Sequence, residues 1–165
     1  MKQVHLQARL MAGDVKRWHT FPCHTNQTVA HHSYGVAQIV RLIADDYSRM
    51  VVPRLVYAAL DHDIAEQQLG DIPYNMKSRL TGLKEIEQEI EASMGAEHLS
   101  RLTDEELEIL KIADLLEAAW FARGELELGN NSMGLALANL EKGLDEFKLR
   151  PKAQALKEKI YEGLR

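Results

Sequence analysis

In 165 residues there is one cysteine, Cys23. A single thiol excludes an internal disulfide framework and fits a reducing compartment. No apolar run approaches the roughly 18 residues of a membrane span. The N-terminal stretch MKQVHLQARLMAGDVKRW is interrupted by charges and lacks the apolar block of a secretory leader. These absences lead to the expectation of a cytoplasmic chain with no membrane partner. Positive charge is also in short supply. Lys and Arg number 20 against 25 Asp and Glu, a formal charge of −5, which argues against binding nucleic acid through a general basic surface. A small anion held by a few local cations in a cleft is still allowed. Strand signals are weak as well: β-branched and aromatic residues do not alternate between turns.

What the sequence does have is helical periodicity, found nearly everywhere. Hydrophobic residues make up 45% and charged residues 27%, ordinary for a globular domain long enough to bury a core. A first helix is expected over about Val4–Met11, ending at Gly13. An irregular stretch follows from Lys16 to Gln27. Thr28 is a plausible N-cap for a helix to about Asp45, and Pro53 suits the first turn of another through Ala65. Gly70-Asp71-Ile72-Pro73 marks a loop. A charged helix is expected over Lys84–His98. Thr103 and Glu106 have capping-box spacing before a long helix to about Arg123. Gly129-Asn130-Asn131-Ser132 separates it from a helix ending near Phe147, and Pro151 opens the last. No repeat or linker interrupts the pattern, so one all-α domain over residues 1–165 is expected.

Four side chains stand out on this frame. Val29, His32, Val36, Ile39 and Ile43 share a face of the second helix, which puts His32 inside and His31 on the other side. On the long helix, Leu107, Leu110, Asp114 and Phe121 share a face, so Asp114 is a carboxylate on a core-facing stripe. A cation should meet it, because an unpaired buried carboxylate is costly. His62 and Asp63 end the apolar run LVYAAL at the edge of the same core. Two imidazoles and two carboxylates make a mixed nitrogen and oxygen set suited to zinc, cobalt, manganese or iron. Any one of these residues alone reads more simply as a hydrogen-bonded core histidine or a salt-bridged aspartate. Their order, H…HD…D on inward faces, is what favours a site.

That order resembles the HD-domain phosphohydrolases, whose metal ligands come from separate helices. The resemblance covers about residues 16–118 and leaves the C-terminal helices, 131–165, without a motif. It assigns the metal to His32 in AHHSYGVA, His62 and Asp63 in LDHDIAE, and Asp114 in KIADLLEA. With KRWHT and GDIPYNMK included, the chain is similar to the bacterial 5′-deoxynucleotidases. It is more similar still to the small phage deoxynucleoside triphosphohydrolases of the 2-aminoadenine (Z-genome) pathway, which destroy dATP. The short chain and the short interval between Asp63 and Asp114 favour the phage type. In either case the resemblance implies a compact helical HD domain, a divalent cofactor (cobalt, zinc or manganese) and a deoxynucleotide substrate cut at the α-phosphorus–O5′ bond. It also implies a homo-oligomer, in the host cytoplasm if the chain is phage-encoded.

Further roles come with the resemblance. Glu66 would orient water or carry its proton, and its position four residues after His62 is consistent with a shared face. Arg17 and Lys77 would bind phosphate. Trp18 would stack on the base or anchor the core. Asp71 would accept from the sugar, although a turn former is its simpler reading. His19, Cys23 and His24 lack the second ligand pair of a structural zinc site. Met76, Met94 and Met133 are expected to fill core gaps. Two other readings compete: a non-catalytic nucleotide-binding HD module, and a cyclic-nucleotide phosphodiesterase sharing the metal set.

Overall fold

A helix that is apolar on every side of its middle belongs at the centre of a bundle, and α7 (Asp104–Glu127) occupies that place. The computed structural model describes residues 6–46, 51–77 and 79–163. Ile109, Ile112, Ala113, Leu116, Ala119 and Ala122 of α7 are all buried. Burying a side chain such as Ile112 or Leu116 stabilises the fold by roughly 1.5–3 kcal/mol. One flank of α7 is covered by α2 (Val29–Ile43) and α3 (Val52–Asp61), and the other by α8 (Met133–Asp145) and α9 (Pro151–Glu162). The remaining helices are α1 (Leu6–Ala12), α4 (Glu66–Leu69), α5 (Tyr74–Lys77) and α6 (Leu83–Ser93), with 3₁₀ turns at Ala44–Asp46 and Leu99–Arg101. Among the described residues the only β pairing is an isolated antiparallel bridge between Lys16 and Thr28.

The caps work as the sequence predicts. Glu106 accepts from the Thr103 amide at 2.8 Å and returns its own amide to Thr103 Oγ1 at 3.3 Å. Asp104, Glu105 and Glu106 also place negative charge at the positive end of the helix dipole. Arg54 Nε donates to Glu106 at 2.6 Å, tying α3 to the start of α7. Thr28 precedes α2 in extended conformation, and Pro53 and Pro151 sit in first turns.

Several boundaries differ. α1 reaches Ala12, and residues 1–5 lie outside the described residues. α6 ends at Ser93 rather than His98, and α7 runs on to Glu127. The helix expected through Ala65 stops at Asp61. Beyond it, Ile64 and Glu66 donate three residues back, to Asp61 and Asp63, which tightens the chain into a turn. That turn is held from outside: Arg9 of α1 grips both Asp61 carboxylate oxygens at 2.6 and 2.7 Å. Ile64, Ala65, Ile90, Met94 and Ala12 form a small second core beneath it. Met94 and Met133 fill core space as expected, but Met76 is exposed at 39%. Leu107, placed on the inner stripe by periodicity, is exposed at 47% and faces a cleft that it lines with Lys84, Glu87 and Leu99.

The irregular segment between Lys16 and Thr28 is closed at its base. Besides the bridge, Arg17 N–H donates to the Gln27 carbonyl at 3.0 Å, and Val29 N–H to Val15 at 2.9 Å. Its far side is fastened to α7 by Glu125, which accepts from the His24 and Thr25 amides at 2.7 and 2.8 Å and from Asn130 Nδ2 at 2.9 Å. Burial works to raise the Glu125 pKa, but the hydrogen bonds from Thr25, Asn130 and the two amides outweigh it and hold it down at about 2. Its stabilisation is therefore full above the unfolded carboxyl value of about 4.3 and is lost as pH falls through the folded one. Glu125→Gln should lower the melting temperature at neutral pH and flatten its decline on acidification. Thermal melts across pH test this, and identical profiles for the two proteins would reject the role.

Candidate metal centre

Three separate elements bring the predicted ligands to one point. His32 comes from the first turn of α2, His62 and Asp63 from the turn after α3, and Asp114 from the middle of α7. His32 Nε2 lies 3.2 Å from His62 Nε2, 3.5 Å from Asp63 Oδ2 and 3.1 Å from Asp114 Oδ1. His62 Nε2 is 3.4 Å from the same Asp63 oxygen. Ligands about 2.0–2.1 Å from an ion are separated by about 3.3 Å in a tetrahedron and about 3.0 Å between octahedral neighbours. The observed spacings fit a divalent ion, and His32, His62 and Asp63 form a compact cluster of the right donor types. His31, by contrast, is exposed at the start of α2, with its Nδ1 3.5 Å from the Thr28 amide.

Both imidazoles are held with Nε2 inward. His62 Nδ1 donates to the Ala59 carbonyl at 2.8 Å, leaving the Nε2 lone pair free. His32 Nδ1 meets Glu117 Oε2 in a short, buried contact. A carboxylate behind a histidine fixes its ring and raises its basicity as a ligand. No motif of the sequence marks Glu117. The signal it carries is local: at its helical neighbours, Ala113, Asp114, Trp120 and Phe121, there is no cation to balance it. Glu125 shares that signature. Gly35 is the other half of the arrangement, since a Cβ there would lie 2.6 Å from Glu117 Cγ. Only a residue without a side chain lets Glu117 lie across α2.

The centre is short of positive charge. Burial works to lower the His32 pKa, but its hydrogen bonds to Asp114 and Glu117 prevail and raise it to about 9. Burial works to raise Asp63, yet His62 and Arg17 bring it down to about 2. Burial also keeps His62 below its usual value. The polypeptide alone thus draws a proton onto His32 where a divalent ion with neutral imidazoles would balance the carboxylates. The cation expected beside Asp114 is Lys111, with Nζ at 2.7 Å.

Arg17 and Glu66 complete the surroundings. Arg17 Nη1 lies 2.5 Å from Asp63 Oδ2, and its Nε is buried without a partner. Glu66 is buried, and neither carboxylate oxygen has a hydrogen-bond partner. Burial, then the nearby Asp63, push its pKa up to about 8. Lys77 Nζ is 3.7 Å from Glu66 Oε1. The turn at residues 62–65 means that Glu66 reaches this place from the start of α4, not from one continuous helix face with His62.

Asp71 and Trp18 are committed to one another. Asp71 Oδ2 accepts from the Trp18 amide at 3.0 Å, where Trp18 adopts a left-handed φ of 59°. That conformation is uncommon for a bulky residue, and the carboxylate supports it. The indole stacks on Phe121 at 5.5 Å and donates from Nε1 to Gln27 Oε1 at 2.8 Å. The structure thus gives Trp18 an anchoring role on one face. His19 lies 3.6 Å from Asp71, and His19, Cys23 and His24 are not among the metal-ligating groups of the described residues.

The family model described as 5′-deoxynucleotidase YfbR-like matches residues 9–108. The chain belongs to that family. The matched stretch contains His32, His62, Asp63 and Glu66 but stops short of Asp114. The 5′-deoxynucleotidases YfbR of Salmonella paratyphi B and Salmonella newport are 29% identical over 168 residues, 88% of this chain and 84% of theirs. Solved structures agree in fold. The cyanophage S-2L HD phosphohydrolase DatZ, bound to dA and one catalytic zinc ion, superposes with a TM-score of 0.73 at 24% identity, covering 98% of this chain and 96% of that one. An HD-domain phosphohydrolase from Listeria innocua gives 0.69 at 24%, over 97% and 86%. A conserved protein from Pyrococcus furiosus gives 0.76 at 23%, over 95% and 99%. This YfbR-like chain is a metal-dependent hydrolase of the HD type, all-α as predicted.

Metal should stabilise the fold by mass action. Zinc or cobalt is expected to raise the melting temperature of the native chain and of His31→Ala. Asp63→Ala should show no rise. An undiminished rise in Asp63→Ala would remove that residue from the ligand set.

Proposed function

We propose that this YfbR-like chain hydrolyses a deoxynucleotide at the bond between the α-phosphorus and O5′. The observation that carries the reading is Glu66, a buried carboxylate with neither oxygen hydrogen-bonded, beside a half-buried Arg17 and the ligand cluster. His32, His62, Asp63 and Asp114 would hold the ion. A divalent cation in that set polarises a phosphoryl group and acidifies water. Glu66 accepts the proton of the attacking water. The free Nε–H of Arg17 and the ammonium of Lys77 take up charge on phosphoryl oxygens as it builds in the transition state. Trp18, braced by Phe121, is the residue we assign to the base, and Asp71 serves first to hold the Trp18 backbone.

A deoxynucleoside monophosphate is the substrate best supported. Arg17 and Lys77 match the charge of one phosphate, while Lys16, Arg79 and Lys84, the residues that would have to hold a longer tail, are exposed. The Salmonella relatives are 5′-deoxynucleotidases by name. A dATP triphosphohydrolase is the second reading, favoured by the close match in length to the S-2L enzyme. A soluble homo-oligomer in the cytoplasm accompanies either one. Among the described residues no helix is long and apolar enough to cross a membrane.

Chromatography of products formed with cobalt from dAMP, dCMP, dATP and dGTP separates the two. Nucleoside and phosphate from monophosphates is expected. Deoxyadenosine and intact triphosphate from dATP would establish the second reading, and inertness toward all four would reject both. Glu66→Ala should retain metal yet lose turnover by about 10²–10⁴. Near-normal turnover in that variant would remove Glu66 from the chemistry. Arg17→Ala should chiefly raise KM.

A further inference from the structure

Behind the metal cluster runs a chain of hydrogen bonds whose two ends have fixed chemistry. Trp18 Nε1 can only donate, and a Glu117 carboxylate can only accept. Between them, Gln27 receives the indole N–H on Oε1 at 2.8 Å and donates from Nε2 to Glu117 Oε1 at 2.8 Å. Glu117 Oε2 then faces His32 Nδ1. Gln27 and Glu117 are each 6% exposed and His32 is 0%, so water is largely kept from substituting for a lost partner. Because both ends are fixed, the amide of Gln27 has one satisfied orientation, and a His32 that offers Nε2 to a metal ion has one satisfied tautomer, with hydrogen on Nδ1.

We infer that Trp18, Gln27 and Glu117 act together as a directional relay of positioning residues that sets His32 as a metal ligand. The inference rests on the metal centre described above. It gives Trp18 a task independent of any contact with a nucleobase. The constraint also spans the fold: the relay joins the loop between Lys16 and Thr28, the central helix α7 and the first turn of α2. Gly35 keeps the path open.

Direction makes a specific prediction. Glu117→Gln keeps size and shape but introduces an amide donor. If that donor faces His32 Nδ1, the ring takes the wrong tautomer and presents Nε2–H to the metal. If it faces Gln27 instead, Gln27 must turn over and set its own NH₂ against the indole N–H. Removing the indole donor with Trp18→Phe relieves the second conflict.

Zinc affinity, measured by competition with a chromophoric chelator, reads this out without turnover. Native protein should bind zinc, Glu117→Gln should bind about 10- to 100-fold more weakly, and Trp18→Phe only a few-fold more weakly. The double variant should bind more tightly than Glu117→Gln alone. Unchanged affinity in Glu117→Gln, or a double variant weaker than both single ones, would overturn the relay while leaving the centre intact. No zinc binding by the native chain would overturn the centre and the relay together. If Glu117→Gln does not fold, ¹⁵N shifts of the His32 ring in the zinc-loaded native protein decide the matter. Protonated Nδ1 is expected, and unprotonated Nδ1 would refute the inference.

Discussion

Three carboxylates, those of Asp63, Asp114 and Glu117, converge on the buried imidazole of His32, with Glu66 beside Asp63, and like charges so close in a poorly hydrated place repel strongly. Most of the surroundings answer that repulsion. Arg17 leans on Asp63, Lys111 on Asp114, and Lys77 approaches Glu66. A divalent ion is the natural complement, because it places two positive charges at the point where three elements meet. The architecture follows from the same need. α7 must be central for Asp114 and Glu117 to reach α2, and α3 must end early for both His62 and Asp63 to turn inward.

Much of this was legible in the residues. Thr28, Pro53, Thr103 and Pro151 mark helix starts through local chemistry, which a single sequence carries in full. The choice of His32 over His31 follows from periodicity alone, because one residue is about 100° around a helix. What periodicity could not show is where tertiary contacts interrupt it. The end of α3 depends on Arg9 holding Asp61 from another helix. The exposure of Leu107 depends on the cleft that α6 leaves open beside α7. Glu117 was hidden because its partners, Gln27 and His32, lie 90 and 85 positions away.

Similarity in sequence and in fold illuminates different parts of the chain. The family match spans the loop, α2 and the turn after α3, and it ends inside the first turns of α7. Asp114 and Glu117 fall beyond it, so their place in the site rests on their distances to His32. The structural likeness extends over nearly the whole chain, C-terminal helices included. Those helices take part by covering the far flank of α7: Arg123 Nε donates to the Ile160 carbonyl at 2.9 Å, and Tyr161 OH to Leu137 at 3.1 Å. They support the helix that carries Asp114 from behind.

The closure between Lys16 and Thr28 bears on the entropy of recognition. A loop free at its base would have to be ordered each time a ligand arrived, at a cost of roughly 0.5–1.5 kcal/mol for each side chain stilled. Here the bridge, the Glu125 clamp and the left-handed Trp18 held by Asp71 fix Arg17 and the indole as the chain folds. Under the proposed function, a nucleotide would meet a template already ordered, and discrimination would come from shape and charge rather than from the ease of ordering a flap. Such a template also accommodates poorly: a ligand slightly too large has no compliant wall to displace.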